Sequence, residues 1–292
     1  MNKKITAMLV SIVVLVTLQS HAFKSREAER DHICMLAAYT LVSIDWQSQD
    51  EQKYRGDNIG CVMLDEKTDK LISAGLDCRG LFKDNTEHAE KMCIRDCQEH
   101  IKIKHTQFKE KVKRESQSNF EKEKESKPEK EKPYLTIYTT LEPEAQCAGM
   151  IIMQPMISKV VYGQENSMGK VIERLKFDSD KKIKEGYPPY WTTVVSSQSP
   201  DQYAKELDEA YNGPSLGYKN IIDFLQGKAA KKIFEDANIE LLQYVNGLKK
   251  VKFPLNGPLV QQVNGFIIDF FKGRDIVTHA TKKEGYIKQI EY

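Results

Sequence analysis

Past its first two dozen residues the chain has no apolar run of bilayer-spanning length. A spanning helix needs roughly 20 apolar residues, so this part of the sequence offers no membrane segment. Charge of one sign is also missing. Lys and Arg total 44 against 42 Asp and Glu, a formal net charge of +2. Non-specific phosphate binding draws on a basic excess or a basic face, so charge does not support a nucleic-acid partner. There is no glycine-rich phosphate loop, no G-x-S-x-G elbow and no internal repeat. Cysteines number six, enough for three disulfides, yet Cys93 and Cys97 lie four apart on a predicted helix, where bridging geometry is poor. No pairing is assigned. What remains, 40% hydrophobic and 29% charged, is ordinary for a soluble globular protein.

The N-terminus is more telling. A basic start, Met1-Asn2-Lys3-Lys4, precedes an uncharged apolar run from Ile5 to Leu18, and Ser20-His21-Ala22 places small residues around one position. That layout predicts a secretory signal peptide over 1–22, cut after Ala22, and hence a secreted or periplasmic protein free of the membrane. The run is short for a membrane anchor, which is the competing reading.

The rest predicts an α/β sandwich around a central mixed sheet, followed by a mostly helical region. Ser25 to Ile44 reads as a helix from its apolar spacing. Asn58–Leu64 and Lys70–Leu76 read as a hairpin across the turn Asp65–Asp69. A second helix is expected to begin near His88. Tyr134–Thr140 alternates β-branched and aromatic residues and reads as a strand, Ala145–Met153 as a short helix, and Lys159–Gly163 as a further strand. Between them, 104–132 is nearly all Lys, Glu, Gln and Ser, an exposed charged insertion by composition. The expected organisation is therefore a domain over 25–166 and a helical region over 168–292. In that region Lys228–Val245 and Leu259–Phe271 carry apolar stripes of the kind that pack a core.

Two stretches carry chemistry. Asp84-Asn85-Thr86-Glu87-His88-Ala89-Glu90 opens the second helix, and Thr140-Leu141-Glu142-Pro143-Glu144-Ala145-Gln146-Cys147-Ala148-Gly149 joins the strand to the next helix. His88 can ligate a metal and leave Glu90 beside it for proton transfer. Positions 144 and 147, three apart at a helix start, project from one face. With His88 they make three protein ligands and keep a fourth position for water, as catalytic zinc requires. Bound zinc lowers the water's pKa to about 7, and a nearby carboxylate moves the proton.

These stretches resemble the H-x-E…P-C-x-x-C signature of the zinc nucleoside and nucleotide deaminases, the cytidine-deaminase-like superfamily. They look most like the tRNA adenosine deaminase and guanine deaminase branch, over about Arg26 to Asn166. There the first motif reads close to D-P-T-A-H-A-E and the second T-L-E-P-C-x-x-C-A-G. The resemblance implies His88 as zinc ligand, Glu90 as proton shuttle and Cys147 as second ligand, with Glu142 and Pro143 shaping the turn.

Two positions depart from that pattern. Glu144 stands in place of the first cysteine ligand, and Asp77 in place of a substrate-contacting asparagine. A Glu144 carboxylate is an acceptable zinc ligand. It is also longer and harder than a thiolate, which suits another metal or a site that has lost tight metal binding. Asp77 offers only acceptors at neutral pH where asparagine offers donor and acceptor, so the base it holds need not be adenine or guanine. The leading expectation is a zinc-dependent hydrolase that deaminates a nucleobase, nucleoside or nucleotide and releases ammonia. The rivals are a catalytically inactive deaminase-fold binding protein and a secreted toxin-like nucleic-acid deaminase. Of the remaining candidates, His32, His100, His105 and His279 read as surface or satisfied core residues, and Cys34, Cys61 and Cys78 as packing or disulfide partners.

Overall fold

The computed structural model describes residues 23–48, 54–99, 134–167, 169–175, 194–213 and 218–272. The signal-type segment 1–22, the charged stretch 104–132, and His100, His105 and His279 lie outside the described residues.

Helix α1 spans Arg26–Ile44, and the Ser25 hydroxyl caps it by accepting from the Ala28 N–H at 3.1 Å. The hairpin follows: β1 (Gly60–Asp65) and β2 (Lys70–Leu76) pair antiparallel, with Asp69 taking the left-handed conformation at φ 51°. A four-residue helix α2 (Arg79–Phe82) and helix α3 (residues 89–99) come next. Strand β3 (Leu135–Leu141) leads into α4 (Ala145–Ile152), and β4 (Ile157–Gln164) returns parallel to β3. The predicted strands and helices up to here are present, with ends moved by one to three residues. After helix α5 (residues 171–175), strand β5 (Val195–Gln198) adds to the parallel edge. The sheet order is β2-β1-β3-β4-β5, antiparallel on one side of β3 and parallel on the other. Helices α6 (Gln202–Asn212), α7 (Ile221–Leu225), α8 (Lys228–Val245) and α9 (Gly257–Lys272) complete the described chain.

Alternation along β3 separates two faces. Tyr138 points to α1 and donates its hydroxyl to Asp31 at 2.7 Å, while Thr139 points the other way and reaches Glu90 at the start of α3. Gly75 of β2 lets α3 pack close: a Cβ there would stand 2.1 Å from the Ala89 carbonyl oxygen.

Helix α1 is sandwiched between the sheet and the C-terminal helices. From Ile33 to Tyr39 every residue is fully buried, matching an apolar run with no polar face. Phe234 of α8 stacks edge-on to Tyr39 of α1, and one core cluster includes Leu36, Ile137, Phe224, Leu241 and Val263. The helical region after 168 is thereby built into the same core as the sheet. Polar links reinforce it. Buried His32, expected as a satisfied core residue, bonds to Glu240 of α8 at 2.9 Å. All six cysteines are buried free thiols. Among the described residues no helix is long and apolar enough to cross a membrane.

Candidate active site

The two motifs meet on the face of the sheet opposite α1. The Asp84 carboxylate accepts from the Thr86 N–H at 2.8 Å, an Asx turn that aims the chain into α3. The Cys78 N–H donates to the Glu87 carbonyl at 2.9 Å and ties this turn to the end of β2. His88 and Glu90 consequently enter at the N-terminus of α3, His88 at 6% and Glu90 at 4% exposure. Across the sheet, β3 delivers Glu144 to the N-cap of α4 and Cys147 to its first turn. The Gln146 amide reaches the Thr86 carbonyl at 3.4 Å and joins the two motif loops.

Glu90 is held from two sides. The Thr139 hydroxyl donates to it at 2.9 Å, and the Cys147 thiol bonds to it as well. Burial pushes the Cys147 thiol far up, and the negative charges of Glu90, Glu144 and Asp77 add to the effect. Without a compensating cation that sulfur is a thiol rather than a thiolate.

Asp77 is fully buried at the end of β2. Its Oδ1 accepts from the Asp57 N–H at 3.2 Å, the Arg79 N–H at 3.3 Å and the Arg79 Nε–H at 3.2 Å. Its Oδ2 accepts from Arg79 Nε at 3.0 Å and faces His88 Nδ1 at 3.8 Å. Burial raises its carboxyl to about 7, against the opposing pull of the Arg79 backbone and of Arg55. Gly56 makes room for this clamp, since a Cβ there would stand 2.1 Å from Asp77 Oδ1. The C-terminal helices buttress the same loop: Gln226 donates to the Tyr54 hydroxyl at 2.7 Å, and Asn58 to the Leu225 carbonyl at 3.1 Å. Arg79, Thr139 and Gln226 belong to the surroundings of the site, and none was singled out from the sequence. Only Arg79 left a signal there, as a cation two residues from Asp77.

His88 donates Nε2–H to the Asn85 carbonyl at 2.8 Å. A carbonyl can only accept, so the ring hydrogen sits on Nε2 and the lone pair on Nδ1. Glu144 Oε1 lies 3.2 Å from Nε2, and its side chain is 39% exposed. His88, Glu90, Glu144, Cys147 and Asp77, the five residues expected at the site, thus border one pocket. Their donor chemistry (imidazole, thiol and carboxyls) suits zinc. Among the described residues, however, no three His, Cys, Asp or Glu side chains stand together at the spacing of an assembled metal centre. A metal would draw them in by side-chain rotation.

Residues 36–164 match the family model described as the cytidine and deoxycytidylate deaminase zinc-binding region. No curated protein sequence matches the chain. Among solved structures, one from work on A-to-I editing by tRNA:A34 deaminases is 24% identical, over 58% of this chain and 99% of its own, with a TM-score of 0.34. Guanine deaminase from Bacillus subtilis is 19% identical, over 53% of this chain and 76% of its own, with a TM-score of 0.30. Guanine deaminase from Nitrosomonas europaea is 12% identical, over 78% and 92%, with a TM-score of 0.33. With the family motifs placed as the model requires, residues 36–164 form a deaminase domain, and through it the chain belongs to the cytidine-deaminase-like superfamily.

Proposed function

We propose that this protein is a zinc-dependent hydrolytic deaminase of a nucleobase, nucleoside or nucleotide, exported through its N-terminal segment to act outside the cytosol. One observation carries the reading: His88, Glu90 and Cys147, from motifs more than fifty residues apart, come together in one buried pocket at the N-termini of two helices. His88 and Cys147 would hold the metal together with a carboxylate, which the sequence motif assigns to Glu144. Zinc, when bound, supplies an activated water at neutral pH.

The remaining chemistry belongs to the protein. Glu90 takes the proton from the attacking water and passes it to the departing amine. Its bond from Thr139 holds one carboxylate oxygen in place and leaves the other to exchange protons. Burial of the pocket excludes bulk water and strengthens each of these interactions. The Asp77–Arg79 clamp fills the place where an asparagine would meet the base, which argues for a substrate recognised by other contacts. Glu144, reaching toward Nε2 of His88 from the solvent side, is the feature that favours the rival reading of a deaminase fold used for binding alone.

The test is ammonia release from a panel of bases, nucleosides and nucleotides by zinc-loaded protein, with Glu90→Gln as control. Removing a general acid–base group costs about 10²–10⁴-fold, so Glu90→Gln should bind zinc and release no detectable ammonia. Equal release by wild type and Glu90→Gln would refute the assignment of Glu90. No release from any substrate would leave the binding-module reading standing.

A further inference from the structure

Which carboxylate completes the metal centre is decided by the two sides of the His88 ring. Nε2 is already spent on a carbonyl, at 2.8 Å from Asn85 O. Glu144 reaches that same nitrogen, at 3.2 Å, through a side chain 39% exposed. It therefore stands on the edge of the imidazole that carries the hydrogen. The lone-pair edge faces Asp77 Oδ2 at 3.8 Å. From these placements we infer that Asp77, rather than Glu144, is the carboxylate ligand of this site, alongside His88 Nδ1 and Cys147. The inference rests on the metal-dependent reading above.

The distances allow it. A metal–nitrogen bond of about 2.0–2.1 Å and a metal–oxygen bond of about 2.0–2.2 Å let one ion bridge atoms up to roughly 4.2 Å apart. At 3.8 Å the angle at the ion is roughly 130°, and a shift of about 0.4 Å closes it to tetrahedral. Asp77 is also prepared as a ligand. Oδ1 is loaded by three N–H donors from Asp57 and Arg79, which fixes the carboxylate plane and leaves Oδ2 toward the imidazole. Ligating carboxylates are held in this manner by hydrogen bonds on the oxygen turned away from the metal. Arg79 and Arg55, which bond the Asp77 carboxylate and its backbone carbonyl, offset the cost of a fully buried aspartate. Glu144 has no comparable support: it caps α4 with no side-chain hydrogen bond to the helix. The position that departs from the family at the helix start is thus compensated by the second departure, at the end of β2.

The decisive experiment is titration of metal-free protein with cobalt(II), reading the thiolate-to-cobalt charge-transfer band and the affinity. In the wild type the band should appear. Asp77→Asn should weaken binding by about tenfold or more, while Glu144→Gln and Glu144→Ala should stay within about threefold. A tenfold loss in either Glu144 variant, or retention in folded Asp77→Asn, overturns the inference and leaves a metal-dependent enzyme in place. Absence of the band in the wild type overturns the metal reading and this inference together. Nitrogen chemical shifts of His88 in zinc-loaded wild type need no variant: metal on Nδ1 is expected, and metal on Nε2 overturns the assignment.

Discussion

Glu29 is the point at which the C-terminal region is locked to the first helix, and removing it is the sharpest test of how the core is built. The residue is fully buried on α1, and its carboxylate accepts from the Lys252 N–H at 2.5 Å, the Phe253 N–H at 3.0 Å and the Asn256 side-chain amide at 2.9 Å. Glu29→Ala leaves these three donors without their acceptor. Stranding a buried donor costs about 1–3 kcal/mol. The exposed Lys252 N–H can regain water, whereas Asn256 is only 1% exposed and cannot. The sum is about 3–4 kcal/mol, a large share of the 5–15 kcal/mol typical of a folded domain. Urea unfolding followed by circular dichroism should show the midpoint falling with the slope unchanged. Lys205→Ala, which breaks an exposed pair with Glu209 at 3.5 Å, should stay within about 0.5 kcal/mol. A loss below about 1 kcal/mol for Glu29→Ala would refute the claim that this carboxylate joins the two regions.

Acid should expose the second lock. Burial alone would raise the Glu240 carboxyl, but bonds from His32, Lys249 and Tyr203 bring it to about 2 from an ordinary 4.5. A depressed pKa stabilises the fold above about pH 4.5, by about 3 kcal/mol, and that contribution is lost as pH falls toward 2. Glu240→Gln should flatten the stability profile between those values, and an unchanged slope would count against the assignment. Gly75→Ala should separate α3 from the sheet, because the added Cβ would stand 2.1 Å from the Ala89 carbonyl oxygen and 2.6 Å from the Cys93 nitrogen. A cost of about 2–3 kcal/mol and weaker cobalt binding are expected, since α3 carries Glu90. Gly149→Ala, in helix α4 with nothing within 4 Å of the new Cβ, should instead stabilise by about 0.5–1 kcal/mol. The pair is read by thermal or urea unfolding, and equal effects would refute the packing argument.

The sequence by itself determined the elements and the motif positions, because those depend on neighbours in the chain. Ser25 caps α1 three residues on, the turn at Asp65–Asp69 closes the hairpin, and the two motifs place His88 and Cys147 at helix starts. Strand β5, with only four residues and an exposed-to-intermediate burial pattern, lacked the apolar alternation that would announce it. Tertiary structure alone decided what depends on distant partners. The run Ile33–Tyr39 is buried all round because helices two hundred residues later cover its outer side, and His32 finds its acceptor 208 positions away. Likewise the sequence could offer both Glu144 and Asp77 to a metal. Which one meets the lone pair of His88 is set by the Asn85 carbonyl that takes the ring hydrogen and by the Arg79 clamp on Asp77. Motif spacing places a side chain on an element, but the side of a ring it faces is a matter of packing.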